Sequence, residues 1–469
     1  MADASSTACC ACCTPRSEAQ RREDRSHAGL GRGDACLRAA VPRPGDTRAR
    51  GLLAEPLFVL TDSAFVGHLG PAQLAGLGTA GAALNTLVNV CVFLAYNTTA
   101  QVSRLIGAGR RKQGLARGID GLYLAAGIGL LLAVVGVLGA DPIVRWLGAG
   151  TQAAPYAATY LRISSVGMPG MLFVLAATGL LRGLHDMRTP LLVAAAAAVV
   201  NTLVNWILVY PCGLGIAGSA AGTASVQTAM AGAYAYIVVR ACRAEGISPW
   251  PDARAIRASL TANFALLVRT IGLRVYWLAA VWAAGRLGTD ALAANTIAGN
   301  LWITIALALD ALAIVAQALV GHELGAGRIG QMRRMVAWMN GWGLWFGVIT
   351  GIGLAALSPV LAGAFTSDQA VARLLMPVAL VTAAFLPAAG VVFVLDGVLI
   401  GAGDAVFLAW ASLACTAVFL GLLAILFATH GDLTWLWVAV GVFTLARLAC
   451  FWFRARGTAW MHVGAQAER

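Results

Sequence analysis

The recurrence of long apolar runs is what most narrows the folds open to this chain. From residue 52 onward, stretches of roughly helical-span length follow one another with short loops between them. They lie at 52–66, 74–100, 119–140, 159–181, 190–211, 214–239, 262–284, 294–320, 338–364, 377–400, 405–428 and 433–454. A bilayer core needs about 20 apolar residues per spanning helix. Barrel strands would instead show ~10-residue alternation, which is missing here. Only 12% of the residues are charged and mean hydropathy is +0.77, against about 25% charged in soluble domains. The spacing predicts an all-α integral membrane protein with twelve transmembrane helices.

The net charge of +12 does not point to nucleic acid, because the basic residues sit in an N-terminal arm and in alternate loops. The second-to-third-span loop carries Arg104, Arg110, Arg111, Lys112 and Arg117. The fourth-to-fifth carries Arg182 and Arg188, the sixth-to-seventh Arg240, Arg243, Arg254 and Arg257, and the eighth-to-ninth Arg328, Arg333 and Arg334. By the positive-inside rule these loops are cytoplasmic, and so are both termini of a multi-pass inner-membrane protein. Residues 1–51 are rich in Arg, Pro, Gly and Ser, lack apolar periodicity, and read as a disordered or mis-assigned arm. Their CCACC cluster lacks the paired spacing of a zinc site. The cysteines farther along are scattered and read as packing residues.

The chain also repeats itself. Shifted by 218 residues, GHLGPAQLAG (67–76) falls on GRLGTDALAA (285–294), GAGR (107–110) on GAGR (325–328), Pro169 on Pro387, and LRGLHD (181–186) on LIGAGD (399–404). Each copy holds six spans, so the copies share one orientation and are related about an axis along the membrane normal. This predicts an N-lobe over 52–240, a cytoplasmic linker over 241–261, a C-lobe over 262–455 and a cytoplasmic tail over 456–469, with a cavity between the lobes. Pro169 and Pro387 are expected to kink their helices.

Enzymatic motifs fail on inspection. GAGRIG (325–330) follows an apolar helix, not a strand, so its GxGxxG spacing binds no dinucleotide. His322-Glu323 is not followed by a second histidine at position 326, and the single lysine, Lys112, excludes a Walker A loop. No catalytic cluster stands at bilayer depth, so the chain is not expected to be an enzyme. What remains is a small set of intramembrane polar groups, which by default mark ion or proton paths. Asp62 lies in the first span, with Glu55 two turns before it. Asn201 and Asn205 share a face of the fifth, Thr223 lies in the sixth, Asp310 in the eighth and Asp396 in the tenth. Arg269 and Arg274 lie in the seventh, and an ion pair with Arg274 is the structural alternative for the aspartates. The aspartates have no acidic counterpart in the repeat, where Ala280, Val92 and Thr178 occupy the matching positions. Tyr123, Trp206 and Trp277 are candidates for cation–π contact with a substrate, with core packing as the competing role.

At TDSAFVGHLGPAQLAGLG (61–78), NTLVNWILVYPCGLGIAGSAAGT (201–223), AGRLGTDALAANTIA (284–298), ALDALAIVAQALVGHELGAG (308–327) and FVLDGVLIGAGD (393–404), the chain resembles the multidrug and toxic compound extrusion (MATE) family, in its DinF-like branch. The resemblance runs from about 53 to 455. It implies a monomeric antiporter without cofactor, built of two six-helix lobes, which expels amphipathic, often cationic compounds in exchange for H⁺ or Na⁺. By position, Asp62 matches the family's N-lobe coupling aspartate, Asn201 and Thr223 match polar residues of that site, and Asp396 matches an acidic position linked to C-lobe coupling. The family's NxxxD pattern reads here Asn201-Thr-Leu-Val-Asn205. The missing carboxylate favours H⁺ over Na⁺. GDTRARG stands where the family's first helix normally begins, shortening that span to ~16 residues. The alternative reading is a flippase or exporter of a lipid-linked or amphipathic metabolite.

Overall fold

The computed structural model describes residues 70–465, apart from Ala149 and 366–367. The expected first span, with Glu55 and Asp62, lies outside the described residues. The described residues form fourteen helices and no strand. They are α1 (Pro71–Val90), α2 (Phe93–Gly107), α3 (Arg111–Leu138), α4 (Ala140–Trp146), α5 (Ala154–Val166), α6 (Met168–Gly183) and α7 (Arg188–Val209). Then come α8 (Gly215–Glu245), α9 (Ala253–Leu287), α10 (Thr289–Gly325), α11 (Ile329–Phe365), α12 (Gln369–Gly401), α13 (Ala405–Ala428) and α14 (Leu433–Arg456). Together they account for the second to twelfth expected spans. Among the described residues, nine stretches are long and apolar enough to cross a membrane, and α5 with α6, bent by 52°, makes a tenth. Helix α8 is 31 residues long but is rich in Ala, Gly, Ser and Thr. Its small side chains suit close helix contacts better than contact with lipid.

Helix ends fall where the local chemistry puts them. Gly246, at φ +66°, terminates α8, and the Asp252 carboxylate accepts the Arg254 N–H to cap α9. Only 246–252 therefore lies between helices in the stretch expected as a linker. Asp368 and Asp432 cap α12 and α14 in the same way.

The 218-residue repeat is written into the backbone. Gly70 and Gly288 take φ +124° and +127°, and Gly109 and Gly327 both take +74°. A third pair joins a glycine to a non-glycine: Gly403 at φ +78° and His185 at +64°. Close helix crossings repeat as well. A Cβ on Gly179 would strike the Ala95 carbonyl, and one on Gly397 the Ala313 carbonyl. Gly129 lies against Pro169 and Gly347 against Pro387. All four pairs differ by 218, so α6 packs on α2 and α3 as α12 packs on α10 and α11. The expected kinks differ between the copies. Gly167 and Pro169 break the first copy at the α5–α6 bend, whereas Pro387 sits inside a continuous α12. Phe385 takes the place of Gly167 and packs its ring over Gly441, which ties that turn of α12 to α14. With α5–α6 as the fourth span and α12 as the tenth, the result is the expected two-lobed bundle.

The lobes meet mainly along α2 and the C-terminal half of α10. Gly107 lies against the His322 carbonyl and Gly325 against the Arg104 carbonyl, a reciprocal contact related by the same 218-residue shift. Only glycine lets two helix backbones approach so closely. α1, which precedes α2, packs chiefly on α5.

Candidate coupling site

Two polar clusters stand inside the bundle. The first is in the N-lobe, on α7 and α8. Four-residue spacing puts Asn201 and Asn205 on one face of α7, both fully buried. The Asn201 amide donates to the Thr223 hydroxyl at 3.3 Å, and the Asn205 amide to the Asn201 side-chain oxygen at 3.1 Å and to Thr223 at 3.5 Å. The Asn205 oxygen fills the notch above Gly222, where a Cβ would collide with it. The three residues singled out in the sequence thus come together as one relay, the two asparagines buried and Thr223 half-buried. Asp62 is not among the described residues, so its place beside this relay comes from the resemblance alone.

The second cluster centres on Asp396 of α12. Its carboxylate is gripped by Arg269 of α9, whose Nε donates to Oδ1 at 3.2 Å and whose Nη2 donates to Oδ2. Arg447 of α14 reaches Oδ2 at 3.4 Å. All three side chains are buried. The Arg447 guanidinium also lies 5.2 Å from the Phe451 ring centroid and 5.9 Å from that of Phe443, where ring faces compensate part of its lost hydration. Two guanidinium groups on one carboxylate make a clamped ion cluster, not an open cation ligand. The expected partner was Arg274; five residues earlier on α9, Arg269 takes that role.

Asp310 of α10 is held differently. The Tyr96 hydroxyl of α2 donates to its Oδ1 at 3.3 Å, across the lobe boundary. The Arg269 guanidinium stands 5.9 Å from the Tyr96 ring, which joins the two aspartates in one network. Gln317, two turns beyond Asp310, donates to the Tyr96 carbonyl. Residues 96 and 97 were not marked in the sequence, because a tyrosine and an asparagine in an apolar run say little until their partners are known. Asn97 donates to Asn263 at 2.9 Å, Gln101 to Asn97 at 3.0 Å and to Ser259 at 3.3 Å. Asp120 accepts the Asp252 N–H at 2.8 Å. These bonds bind the start of α9 to α2 and α3 around a cavity of about 10 Å³, room for one water and no substrate.

The aromatic candidates do not assemble as a substrate box. Trp277 packs against Gly299 and the α9–α14 core beside Tyr276, a packing role. Tyr123 on α3 and Trp206 on α7 are exposed, at 42% and 51%, and large exposed aromatics on apolar helices suit contact with lipid. Arg274 is half-buried on α9. The arginines that matter carried a readable signal: Arg269 and Arg447 are charges inside apolar runs, as the aspartates are.

Comparison with known proteins agrees with this geometry. The MatE family model matches residues 50–207 and 266–426, one match in each half of the repeat. The chain is 29% identical over 456 residues to Protein DETOXIFICATION 44, chloroplastic, of Arabidopsis thaliana, covering 92% of this chain and 84% of that protein. It is 28% identical over 277 residues to the DNA damage-inducible protein F of Escherichia coli, covering 58% and 60%. Among solved structures, a MATE protein in the straight conformation superposes with a TM-score of 0.78 at 19% identity, covering 90% of this chain and 98% of that one. A MOP superfamily transporter from Pyrococcus furiosus superposes with a TM-score of 0.79 at 18% identity, covering 88% and 94%. The chain belongs to the MatE, or multidrug and toxic compound extrusion, family.

Proposed function

We propose that this protein exports amphipathic, often cationic compounds across the inner membrane by alternating access, in exchange for H⁺ rather than Na⁺. An N-lobe (52–240) and a C-lobe (262–455) rock against each other, parting and rejoining at the α2–α10 contact. One observation carries the reading: two pseudo-symmetric lobes close on each other at the end that bears the arginine-rich loops, and a half-buried Tyr96–Asp310 bond crosses between them. The positive-inside rule makes that end cytoplasmic, so the state described is closed toward the cytoplasm. Proton coupling is supported by Asn205, an amide where a sodium site would use a second carboxylate, and by the clamp that occupies Asp396. Asp310, held by a hydroxyl and not by a guanidinium, remains, and the family resemblance adds Asp62.

The test is dye transport in proteoliposomes under an imposed pH gradient, with and without Na⁺, for the unaltered chain and for Asp62→Asn and Asp310→Asn. Transport driven by the pH gradient, indifferent to Na⁺ and abolished by Asp62→Asn, supports the reading. Transport that requires Na⁺ and ignores the pH gradient overturns the choice of ion. A folded protein that moves no cationic dye overturns the substrate class and turns attention to lipid-linked cargo.

A further inference from the structure

The closed end of the bundle holds a second pair of inter-lobe contacts, outside the charged network. On α2, Arg104 is 1% exposed and its Nη2 donates at 2.7 Å to the carbonyl of Ala402, at the C-terminal end of α12. A guanidinium on the last carbonyls of a helix is favourable for both hydrogen bonding and the helix dipole. Shifting 218 residues turns Arg104 into His322 and Ala402-Gly403 into Leu184-His185. The second copy makes the rotationally related reach. His322 of α10 meets His185, beyond the C-terminal end of α6, edge to face, with ring centroids 5.0 Å apart and planes at 89°. The first arm carries a permanent cation on a carbonyl. Its counterpart carries two imidazoles, the side-chain type that serves as a switch at physiological pH.

We propose that these contacts form a two-armed lock on the cytoplasmic side of the transporter, in which the Arg104 arm is insensitive to pH and the His185–His322 arm is released by protons. This lock rests on the alternating-access reading above. His185 sits where its repeat partner is Gly403, in left-handed backbone that favours glycine, so the position carries an imidazole at a conformational cost. It keeps a side to solvent, which gives protons access.

The charged and titratable groups around it are identifiable on each neighbour. From α10 come His322 and Glu323, and from the loop after α10 comes Arg328. Arg328 donates to Glu323 at 2.7 and 2.8 Å and comes within 3.5 Å of His322 Nδ1. Arg104 of α2 lies at the same end of the interface, against Gly325 and Ala402. Arg182 and Asp186 flank His185 on its own segment, Asp186 engaged with Arg188 and Thr189. The C-terminal segment, whose Gly464 N–H donates to the Leu324 carbonyl, brings His462 to the same end.

Within this setting the His185 pKa is lowered, first by the surrounding protein and then by His322, with Glu323 acting in the opposite direction. A base whose pKa is depressed in the closed state holds its proton more weakly there than when the lobes part. The closed form is therefore favoured while His185 is neutral, and loses that advantage as pH falls through the two pKa values. Falling cytoplasmic pH opens this side.

The test is a distance measurement by pulsed electron resonance between cysteine-independent spin labels at Lys112 and Arg334, both exposed beside the lock, on the full chain in lipid nanodiscs. Between about pH 8 and about pH 5 the long-distance fraction should roughly double. His185→Asn, which retains tolerance of left-handed backbone, and His322→Gln should each remove the pH response. Arg104→Gln should raise the long-distance fraction at both pH values and leave the response in place. A response that survives in both histidine variants, or is missing from the unaltered chain, overturns the lock. The readout needs no transport, so an intact response in a protein that moves no dye faults the transport reading and not the lock.

Discussion

Asp396 shows how one buried carboxylate is made tolerable in an apolar bundle. Its oxygens are shared between Arg269 and Arg447, one of which also lies over two phenylalanine rings. Removing one member leaves the others buried without compensation, which costs about 3–5 kcal/mol. Asp396→Asn is therefore expected to lower the midpoint of thermal unfolding in detergent clearly, whereas the double change Asp396→Leu with Arg269→Met recovers part of the loss. Equal losses in the single and double variants would mean that the clamp is not a coupled unit. At the N-lobe relay the chemistry runs the other way. Asn205→Asp would place a carboxylate beside Asn201 and Thr223, and Na⁺-dependent transport should appear where the unaltered chain shows none. Both aspartates of the C-lobe were legible in the sequence, because a charge in an apolar run stands out. Their pairings were not. Arg269 and Tyr96 lie 127 and 214 residues from the carboxylates they bond, and no local spacing records a pairing made by the packing of distant helices.

Among the elements, glycine fixes where helices touch. Gly179 and Gly397 make the same crossing in the two lobes, on Ala95 and Ala313. Overpacking such a contact costs about 1–3 kcal/mol. Gly179→Val and Gly397→Val should lose folded yield to a similar extent, as size-exclusion profiles would report. Gly353→Ala, where nothing lies within 4 Å of the added atom, should be neutral or stabilising by up to about 1 kcal/mol. Severe loss in one lobe only would show that the repeat is not structurally equivalent. The repeat itself could be read from gapless register. The asymmetry between a broken α5–α6 and a continuous α12 could not, since both copies carry the proline and the difference lies in Gly167 against Phe385.

For the whole molecule, the decisive feature is that the lobes share one reciprocal contact, Gly107 on His322 and Gly325 on Arg104, at the end with the arginine-rich loops. A transporter that works by alternating access must open this contact in every cycle. Ser103 and Gly321, again 218 apart, face each other directly across it, with Ser103 Oγ lying where a Cβ on Gly321 would stand. Their cysteine replacements are close enough for a disulfide. The measurement that tests the account most directly is dye transport in proteoliposomes by the Ser103→Cys, Gly321→Cys double variant, before and after oxidation and again after reduction. The account predicts transport in the reduced protein, arrest on oxidation, and recovery when the bond is reduced. Undiminished transport through a fully cross-linked protein would contradict it.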